Sequence, residues 1–301
     1  MKTIGVIVRP GVASAEAGPV LAELVEFLRK RGRSVLIERH AAALVSALGS
    51  GPATIADAPE IGARADALVV LGGDGTLLAA SHLIEREDVP LIGVNFGSLG
   101  FLTEITLAEL HPVLERVLSG NYPYGARRLL RATLRRAGES DDDGAVGGDV
   151  LNDVVITKAG ALSRIIELEV RVDGAFVSSF RADGLIVASP TGSTAYNLAV
   201  GGPILHPSLA AIVVTAISPH ALSNRPLVLA DDAAVAVRLL TRNVDVHVTL
   251  DGQRGLALHP DDTVTIARSP RRLRLALSPQ RDYYDVLRTK LRWGEARARQ
   301  R

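Results

Sequence analysis

A glycine-rich turn between an apolar strand and a helix is the first feature of this sequence that could do chemistry. An apolar run ending at Leu71 is followed by Gly72-Gly73-Asp74-Gly75-Thr76, and helical spacing resumes at Leu77. Glycines let the backbone approach a ligand closely, and the N–H groups at a helix start attract anions, so phosphate is the expected ligand. The GK[ST] ending of a Walker A loop is missing, so the motif does not support P-loop chemistry.

Asp74 is the residue of this turn that could take part in a reaction. A carboxylate beside phosphate is repulsive unless it serves a metal or a hydroxyl group, and it can hold Mg²⁺ or accept the proton of an attacking alcohol. That combination indicates a kinase. The alternative is that the segment is only a tight turn, because Asp-Gly is a favoured turn dipeptide, and the motif alone does not decide between the two.

A dense hydroxyl cluster follows a second apolar strand, over Ser189–Tyr196. Thr191, Ser193 and Thr194 can both donate and accept hydrogen bonds, and the ring of Tyr196 can stack on a base. Serine and threonine also cap helices, but the cluster is richer than a cap requires. The pattern therefore predicts nucleoside recognition.

Two further short segments, Asn152-Asp153 and Asp251-Gly252-Gln253, place polar side chains next to apolar strands. Asn152 can hydrogen-bond a base or ribose, and Asp153 can accept from ribose hydroxyls, although an Asn-Asp turn entering a strand explains the pair equally well. Asp251-Gly252 is typical of a hairpin turn, from which Gln253 could reach a binding pocket.

The length, charge and cysteine content of the chain limit the classes of protein to which these motifs can belong. The chain has 301 residues, which indicates about two domains at roughly 150 residues each. It has 34 basic and 33 acidic residues, so neither nucleic acid nor a membrane is the expected partner. Cysteine is absent and the N-terminus does not read as a signal peptide, so the cytoplasm is the expected compartment.

The first 120 or so residues alternate between short β-branched runs and segments with helical spacing, which predicts a Rossmann-like parallel sheet flanked by helices. One helical stripe contains Leu21, Leu24 and Leu28. Gly49–Pro59 shows neither the helical nor the strand periodicity of apolar residues and is predicted to be a loop. The predicted strands are Thr3–Val8, Ser34–Glu38, Ala67–Leu71 and Pro90–Val94.

From about Tyr124 the pattern becomes that of a mainly antiparallel β domain. Ile165–Val172 and Ala175–Phe180 flank Asp173-Gly174, a hairpin signature, and Ser140–Gly148 is predicted to be a solvated loop. Further strands are predicted at Val235–Leu240, Val244–Leu250, Thr263–Ala267 and Leu273–Leu277.

These elements predict two domains. An α/β nucleotide-binding domain is expected over residues 1–123, joined by residues 280–301 because an amphipathic helix beginning near Asp282 returns to it. A β-rich domain is expected over residues 124–279.

Four segments taken together resemble the signature set of bacterial ATP/polyphosphate-dependent NAD kinases: GGDGT, LNDVVI, RADGLIVASPTGSTAYNLAVGGPILHP and ISPHALSNRPLVL. The resemblance implies transfer of the terminal phosphoryl group of ATP or polyphosphate to the 2′-hydroxyl of the adenosine ribose of NAD, giving NADP. It also implies a divalent cation, Mg²⁺, NAD binding by the β domain over residues 124–279, and a homodimer or homotetramer built largely through that domain.

The resemblance assigns roles to individual residues. It implies that Asp74 is the catalytic base and that Gly75 lies beside the reacting phosphate. Arg181 matches an arginine near the phosphates, Gln253 a glutamine in the pocket, and Arg164 a basic contact. The residues that would line the dinucleotide site are Asn152, Asp153, Asp183, Thr191, Thr194, Ala195 and Tyr196.

Two other functions remain open at this stage. A lipid kinase of the diacylglycerol or sphingosine type shares GGDGT, but no helix here has the apolar and lysine-rich faces of a membrane contact. A non-catalytic NAD(H) sensor would use the same pocket, although it would leave Asp74 without a role.

Overall fold

The computed structural model describes residues 1–11, 14–46, 53–139, 146–160 and 164–293. The chain divides into two compact units. Unit 1 consists of Met1–Ala126 and Leu273–Arg301, and unit 2 is Arg127–Arg272. The predicted acidic loop Ser140–Gly148 lies outside the described residues over 140–145.

A parallel sheet forms the centre of unit 1, as the alternating pattern predicts. Its strands have the spatial order β3-β2-β1-β4-β5 and every neighbouring pair is parallel. The chain therefore builds the sheet outward from β1 on one side and then on the other, which creates a topological switch point between β1 and β4. The strands are β1 (Thr3–Val8), β2 (Ser34–Glu38), β3 (Thr54–Ala56), β4 (Ala67–Leu71) and β5 (Pro90–Asn95), with the short β6 (Ile105–Thr106) beside β5.

Helices cover this sheet through apolar stripes. Leu21, Leu24 and Leu28 are fully buried, which confirms the predicted helical face. The C-terminal helix belongs to unit 1, with Val286 and Leu287 buried. The helices of unit 1 are α1 (Ser14–Lys30), α2 (Ala42–Ser46), α3 (Ala58–Arg64), α4 (Asp74–Ser81), α5 (Leu110–Leu118) and α7 (Tyr283–Leu291).

The loop predicted over Gly49–Pro59 is wrong where the structure describes it. Strand β3 begins at Thr54, and α3 begins at Ala58 with Pro59 in its first turn, where proline is tolerated because the missing N–H has no helical partner. Ile61 is fully buried, so packing supports a helix that composition did not indicate. Residues 49–52 of the predicted loop lie outside the described residues.

Unit 2 contains antiparallel strands in two layers that share one apolar core. One layer has the order β11-β10-β15-β18, and the other has the order β14-β13-β12-β9-β16-β17. The strands are β7 (Tyr124–Arg135), β8 (Val146–Val150), β9 (Asp153–Lys158), β10 (Ile166–Val172), β11 (Ala175–Ala182), β12 (Gly184–Ala188), β13 (Ala211–Ile217), β14 (Leu227–Ala230), β15 (Val235–Leu239), β16 (Val246–Leu250), β17 (Arg254–Leu258) and β18 (Thr263–Ala276). The short helix α6 is Tyr196–Ala199.

Two details of unit 2 bear on the predicted strands. The hairpin is confirmed, since Asp173 and Gly174 both have positive φ, 51° and 80°, as the favoured two-residue turn requires. The two last predicted strands are wrong as separate elements, because β18 runs unbroken through Pro270, which is exposed. Within the described residues, no helix has the length and apolar character needed to cross a membrane.

Candidate functional site

The glycine turn of unit 1 joins the end of β4 to the start of α4. Gly72 donates its N–H to the carbonyl of Val94 at 2.8 Å, and the carbonyl of Gly73 accepts from Thr76 N and Leu77 N at 3.0 and 3.1 Å. Helix α4 therefore begins at Asp74, and its first amides point away from the helix without helical partners. Such a helix start attracts anions.

The carboxylate of Asp74 is held by three consecutive backbone N–H groups. Oδ2 accepts from Phe101 N at 2.8 Å, while Oδ1 accepts from Leu102 N and Thr103 N at 3.0 Å each. Oδ1 also accepts from the Thr103 hydroxyl at 3.0 Å. Only glycine fits at position 100, since a Cβ there would lie 1.9 Å from Asp74 Oδ1. This partner segment was missed in the sequence, which offers only its glycines as a signal.

The two oxygens of Asp74 are therefore not equivalent. An ionised carboxylate has about four acceptor positions. Within the described residues Oδ1 accepts three hydrogen bonds and Oδ2 accepts one. Oδ2 is the oxygen with free capacity to accept a proton from a ligand.

A second carboxylate organises the Asn152-Asp153 turn in unit 2. Asp251 Oδ2 accepts from Leu151 N at 2.8 Å, and its Oδ1 accepts from Asn152 N at 2.7 Å and Asp153 N at 3.0 Å. The amide of Asp251 donates in return to the carbonyl of Asp153 at 2.9 Å. The sequence pattern predicts only a turn at Asp251, and the one signal for this further role is an aspartate at the end of an apolar strand.

Asp153 lies inside this arrangement with only 5% of its surface exposed. Burial, and secondly the charge of Asp251, raises the pKa of Asp153 to about 7. Asp153 therefore changes charge near neutral pH, whereas an ordinary aspartate is ionised well below it.

The hydroxyl cluster lies directly against Asn152. Ser189 donates its backbone N–H to the carbonyl of Asn152 at 2.8 Å. A Cβ at Gly192 would lie 2.1 Å from the same carbonyl, so this close approach requires glycine. Thr191 Oγ1 is buried and, across the described part of the chain, has no hydrogen-bond partner. An unpaired buried hydroxyl costs about 1–3 kcal/mol, which a ligand would relieve.

The rest of the cluster divides into structural and accessible members. Ser193 Oγ donates to the carbonyl of Pro190 at 2.7 Å, and the buried amide of Asn197 accepts from the Thr215 hydroxyl at 2.7 Å. The hydrogen bonds of these two groups are made within the protein and stabilise the fold. Thr194 and Ala195 precede α6 and are half-buried, while Tyr196 at its start is 45% exposed.

Asp183 and Gln253 are also in unit 2. Asp183 Oδ1 pairs with Lys158 Nζ at 2.6 Å, an ion pair that the sequence did not reveal. Gln253 is exposed in the turn that begins with Asp251, and its backbone N–H donates to the carbonyl of Leu250 at 2.9 Å.

The two arginines of the predicted site, Arg181 and Arg164, line cavities of unit 2. Arg181 and His220 line a cavity of about 300 Å³, and Arg164 and Arg242 line a second one of about 490 Å³. Neither lining includes Asn152. Hydrogen bonds and close backbone approaches thus bring Asn152, Asp153 and Thr191 together, whereas Arg181 and Arg164 line two separate cavities.

The described residues contain no group of three or more His, Asp or Glu side chains that could hold a metal ion by themselves. The groups that contact the Asp74 carboxylate are three backbone N–H groups and the Thr103 hydroxyl, and all four donate hydrogen bonds to it. A dedicated protein cage for Mg²⁺ is therefore not built from these residues.

Two solved structures define the class of fold. The yeast NADH kinase complexed with NADH superposes with a TM-score of 0.89 at 24% identity, covering 98% of this chain and 88% of its own. An NAD kinase from Archaeoglobus fulgidus in complex with ATP superposes with a TM-score of 0.72 at 22% identity, covering 96% of this chain and 98% of its own. The chain thus has the two-domain fold of NAD and NADH kinases, as its α/β and antiparallel β parts predict.

Sequence comparison identifies the family. Residues 4–122 match the ATP-NAD kinase N-terminal domain, and residues 151–278 match the ATP-NAD kinase C-terminal domain. The NAD kinase of Geotalea daltonii is 50% identical over 276 residues, 92% of this chain and 94% of the relative. That of Citrifermentans bemidjiense is 47% identical over 296 residues, 98% of this chain and 100% of the relative.

The chain belongs to the NAD kinase family. It is a phosphotransferase that phosphorylates NAD with ATP as the phosphoryl donor, and the predicted activity is confirmed. The comparisons do not favour a lipid kinase or a non-catalytic NAD(H) sensor.

Proposed function

We propose that Asp74 is the catalytic base and that its Oδ2 takes the proton of the 2′-hydroxyl of the adenosine ribose of NAD. The free acceptor capacity of Oδ2 is the observation that carries this assignment, since Oδ1 already accepts three hydrogen bonds. The 2′-oxygen forms a bond to the terminal phosphorus of ATP, the bond from that phosphorus to the ADP oxygen breaks, and the proton moves to Oδ2.

The start of α4 binds the transferred phosphate in this proposal. The amides at a helix start are fixed donors, and the preceding glycines leave room for the phosphate oxygens to approach. Phosphoryl transfer depends mainly on alignment and on neutralising charge, and fixed backbone donors supply both without reorganising. Gly75, the second residue of α4, is the position we assign beside the reacting phosphate.

The dinucleotide binds along the Asn152, Asp153 and Thr191 surface of unit 2. The unpaired Thr191 hydroxyl supports this assignment because a ribose or base atom would complete its hydrogen bonding. The exposed ring of Tyr196 offers a face for a nucleobase. The family resemblance adds Asp183, Thr194, Ala195 and Gln253 to this site, and Arg164 and Arg181 as basic contacts.

Any Mg²⁺ in this proposal would be held mainly by the phosphates of the donor. Mg²⁺ usually keeps several waters and is held by substrate phosphates with one or two carboxylates, so a MgATP complex needs no metal cage in the protein. When bound, Mg²⁺ neutralises charge on the phosphates. Polyphosphate offers the same terminal group without a nucleoside and is the second donor that we propose.

The protein works as a homodimer or homotetramer in this proposal. Apolar side chains of unit 2 support it, because Phe176 is 58% exposed, Val228 48% and Leu222 98%. Such exposed apolar side chains are available to pack against a second subunit. Light scattering on the purified protein measures the oligomer directly, and a monomer at micromolar concentration contradicts the proposal.

The acceptor position is tested with NAD analogues. The purified protein is incubated with MgATP and NAD, 2′-deoxyadenosine NAD or 3′-deoxyadenosine NAD, and ADP release is measured for each. We expect turnover with NAD and with the 3′-deoxy analogue, and none with the 2′-deoxy analogue. Turnover of the 2′-deoxy analogue would show that another hydroxyl is phosphorylated.

A further inference from the structure

The segment that holds Asp74 is itself held from the carboxyl-terminal part of unit 1. Residues 101–103 donate three backbone hydrogen bonds to the Asp74 carboxylate, and Glu104 follows them directly. The linker between β18 and α7, residues 277–282, belongs to the same unit. Arg281 of this linker donates from Nη1 to the backbone carbonyl of Glu104 at 2.9 Å. A side chain distant in sequence therefore binds the backbone next to the amides that hold Asp74.

A buried carboxylate, that of Glu109, fixes the guanidinium of Arg281. Glu109 is 3% exposed, and its Oε2 accepts from Arg281 Nη1 at 2.9 Å and from Nη2 at 3.0 Å. Its Oε1 accepts from the Ser278 hydroxyl at 2.6 Å. Oε2 also accepts from the backbone N–H and the hydroxyl of Thr106, at 2.9 and 2.7 Å. Residues 104–109 are thus tied to the linker at both ends.

Glu109 carries a charge in this arrangement. Burial by itself raises the pKa of its carboxyl group, but the hydrogen bonds from Ser278, Thr106 and Arg281 outweigh burial and lower that pKa. An isolated charge inside a protein is costly, so the buried carboxylate is stabilised by the cation beside it, that of Arg281. The guanidinium can bind this carboxylate and the Glu104 carbonyl together because it has five N–H donors in a planar fork.

The same stretch of backbone is held from β5 by Asn95. Asn95 is 4% exposed, and its Nδ2 donates to the carbonyls of Thr103 at 2.9 Å and Ile105 at 3.2 Å. Of three consecutive carbonyls, Asn95 therefore binds the first and the third, and Arg281 binds that of Glu104 between them. Two side chains from different elements fix the backbone that leads out of the Asp74 amides.

We propose that Arg281 is a positioning residue for phosphoryl transfer, which keeps the amides of residues 101–103 aligned on Asp74 by holding the Glu104 carbonyl and the Glu109 carboxylate. The inference rests on the proposed function, because it assumes that Asp74 is the base. Without the guanidinium, Glu104 loses a donor and Glu109 its cationic partner, so this backbone shifts. The Asp74 carboxylate shifts with its amides, and a misplacement of about 1 Å can lower a rate about 10²-fold.

The test measures whether Arg281 acts through Asp74. The variants are Arg281→Gln, Asp74→Asn and the double variant. For each protein, kcat and the Michaelis constants for NAD and ATP are measured with the NADP assay, at a temperature below the melting transition of the least stable variant.

Arg31→Gln is the matched control. The side chain of Arg31 is 33% exposed, against 24% for Arg281, and it also lies in unit 1. It pairs with Glu115 and donates from Nη1 to the carbonyl of Phe27 at 3.0 Å. Within the described residues its hydrogen bonds go to α1 and α5, and none goes to residues 101–109. The control should keep all three kinetic constants within about twofold of wild type.

We expect Arg281→Gln to lower kcat about tenfold and to leave both Michaelis constants within about threefold, because a misaligned base affects the transition state more than substrate binding. Asp74→Asn alone should lower kcat by about 10²–10⁴. The double variant should match Asp74→Asn within about twofold, since the alignment of a base no longer matters once the base is gone.

Three results would overturn the inference and leave the proposed function intact. An unchanged kcat in folded Arg281→Gln would mean that the arginine only stabilises the fold, and an equal fall in the control would mean that the effect is general. Multiplied losses in the double variant would mean that Arg281 acts independently of Asp74. Near-normal turnover of Asp74→Asn alone is the separate sign that the base assignment is wrong, and the inference then falls with it.

A second variant keeps the test decisive if Arg281→Gln does not fold. Arg281→Lys retains a positive charge beside Glu109 but lacks the planar fork that also reaches the Glu104 carbonyl. We expect it to fold and to lower kcat about threefold, again with little change in the Michaelis constants and with no further loss when it is combined with Asp74→Asn. A wild-type kcat in Arg281→Lys would overturn the inference, because the contact with the Glu104 carbonyl would then be dispensable.

Discussion

Two aspartates in different units are held by the same arrangement of backbone amides. Asp74 in unit 1 accepts from the N–H groups of residues 101, 102 and 103, and Asp251 in unit 2 accepts from those of residues 151, 152 and 153. In each case Oδ2 takes the first amide and Oδ1 the next two. Three aligned amides bind a carboxylate strongly because each bond is charge-assisted.

The surroundings of the two carboxylates differ, and the difference separates catalysis from positioning. Asp74 is partly exposed at the start of a helix, so Oδ2 can face a ligand. Asp251 is only 4% exposed and lies beside the buried Asp153. The same hydrogen-bonding pattern thus presents a reactive oxygen in one unit, and in the other it fixes the turn that carries Asn152.

The largest expected effect is the loss of activity in Asp74→Asn. General-base help is typically worth about 10²–10⁴ in rate, so kcat falls by that factor or more. The substitution should also lower the stability of the folded state. An asparagine amide has one acceptor oxygen in place of two, and its NH₂ group would face a backbone N–H of residues 101–103. We therefore expect a lower melting temperature as well, measured by calorimetry beside the NADP assay.

Asp66→Asn is the matched control for that variant. Asp66 Oδ2 accepts from the backbone N–H groups of Lys2 and Thr3 at 2.6 and 3.0 Å, in the same unit and away from the glycine turn. It should lower the melting temperature and keep kcat. Near-normal turnover in folded Asp74→Asn would show that Asp74 is not the base.

Asp251→Asn should affect acceptor binding more than turnover. Loss of one acceptor oxygen leaves a buried N–H unsatisfied, at about 1–3 kcal/mol, and loosens the turn that presents Asn152. Because small misplacements of binding groups are costly, we expect the Michaelis constant for NAD to rise on the order of tenfold while kcat changes less. The steady-state constants and urea unfolding are measured together.

The control for Asp251 is Asp262→Asn. Asp262 is 2% exposed and its carboxylate accepts from Ala137 N at 2.9 Å and His259 N at 2.8 Å, so it is another buried turn aspartate of unit 2. It should lose similar stability without a change in the constant for NAD. Equal increases in both variants would mean that Asp251 acts only through general stability.

Local features of this molecule can be predicted from its sequence, whereas the hydrogen bonds that hold the two aspartates cannot. The stripe through Leu21 and Leu24 is local, so helical periodicity predicts it, and glycine and hydroxyl motifs point to phosphate and nucleoside chemistry. The amides that hold Asp74 lie 27 to 29 residues away, and those that hold Asp251 lie 98 to 100 residues away. Such pairings arise from tertiary structure and leave no local pattern.

The hydroxyl cluster shows a second reason why the sequence alone does not define the binding site. Ser193 and Thr191 look equivalent in the sequence, but Ser193 bonds to Pro190 within the fold and Thr191 is left unpaired. Residue type gives the capacity for hydrogen bonds, whereas only the packed structure determines which groups remain for a ligand.

A smaller effect concerns pH. The pKa of Asp153 is raised from 3.8 to about 7, so between those values the folded state binds a proton that the unfolded state has lost. Stability therefore falls as pH rises from about 4 to 7, by at most about 1.4 kcal/mol per pH unit from this group. Asp153→Asn should remove that decline, so we expect the variant to gain stability relative to wild type at pH 8 but not at pH 4. Urea unfolding of both proteins at the two values checks this, and parallel pH profiles would contradict the buried, protonated state.

The smallest expected effect is that of Thr103→Val, which removes one of the four hydrogen bonds to Asp74 and keeps the shape of the side chain. Thr103 is fully buried, and the loss of one hydroxyl donor to a charged acceptor should cost about 1–2 kcal/mol in the free energy of unfolding. Its backbone N–H still holds Oδ1, so the carboxylate stays in place and kcat should fall by less than about threefold. Urea unfolding and the NADP assay measure the two effects. A loss of activity as large as that of Asp74→Asn would mean that the hydroxyl of Thr103 takes part in the reaction, and the distinction between the two oxygens of Asp74 would then be wrong.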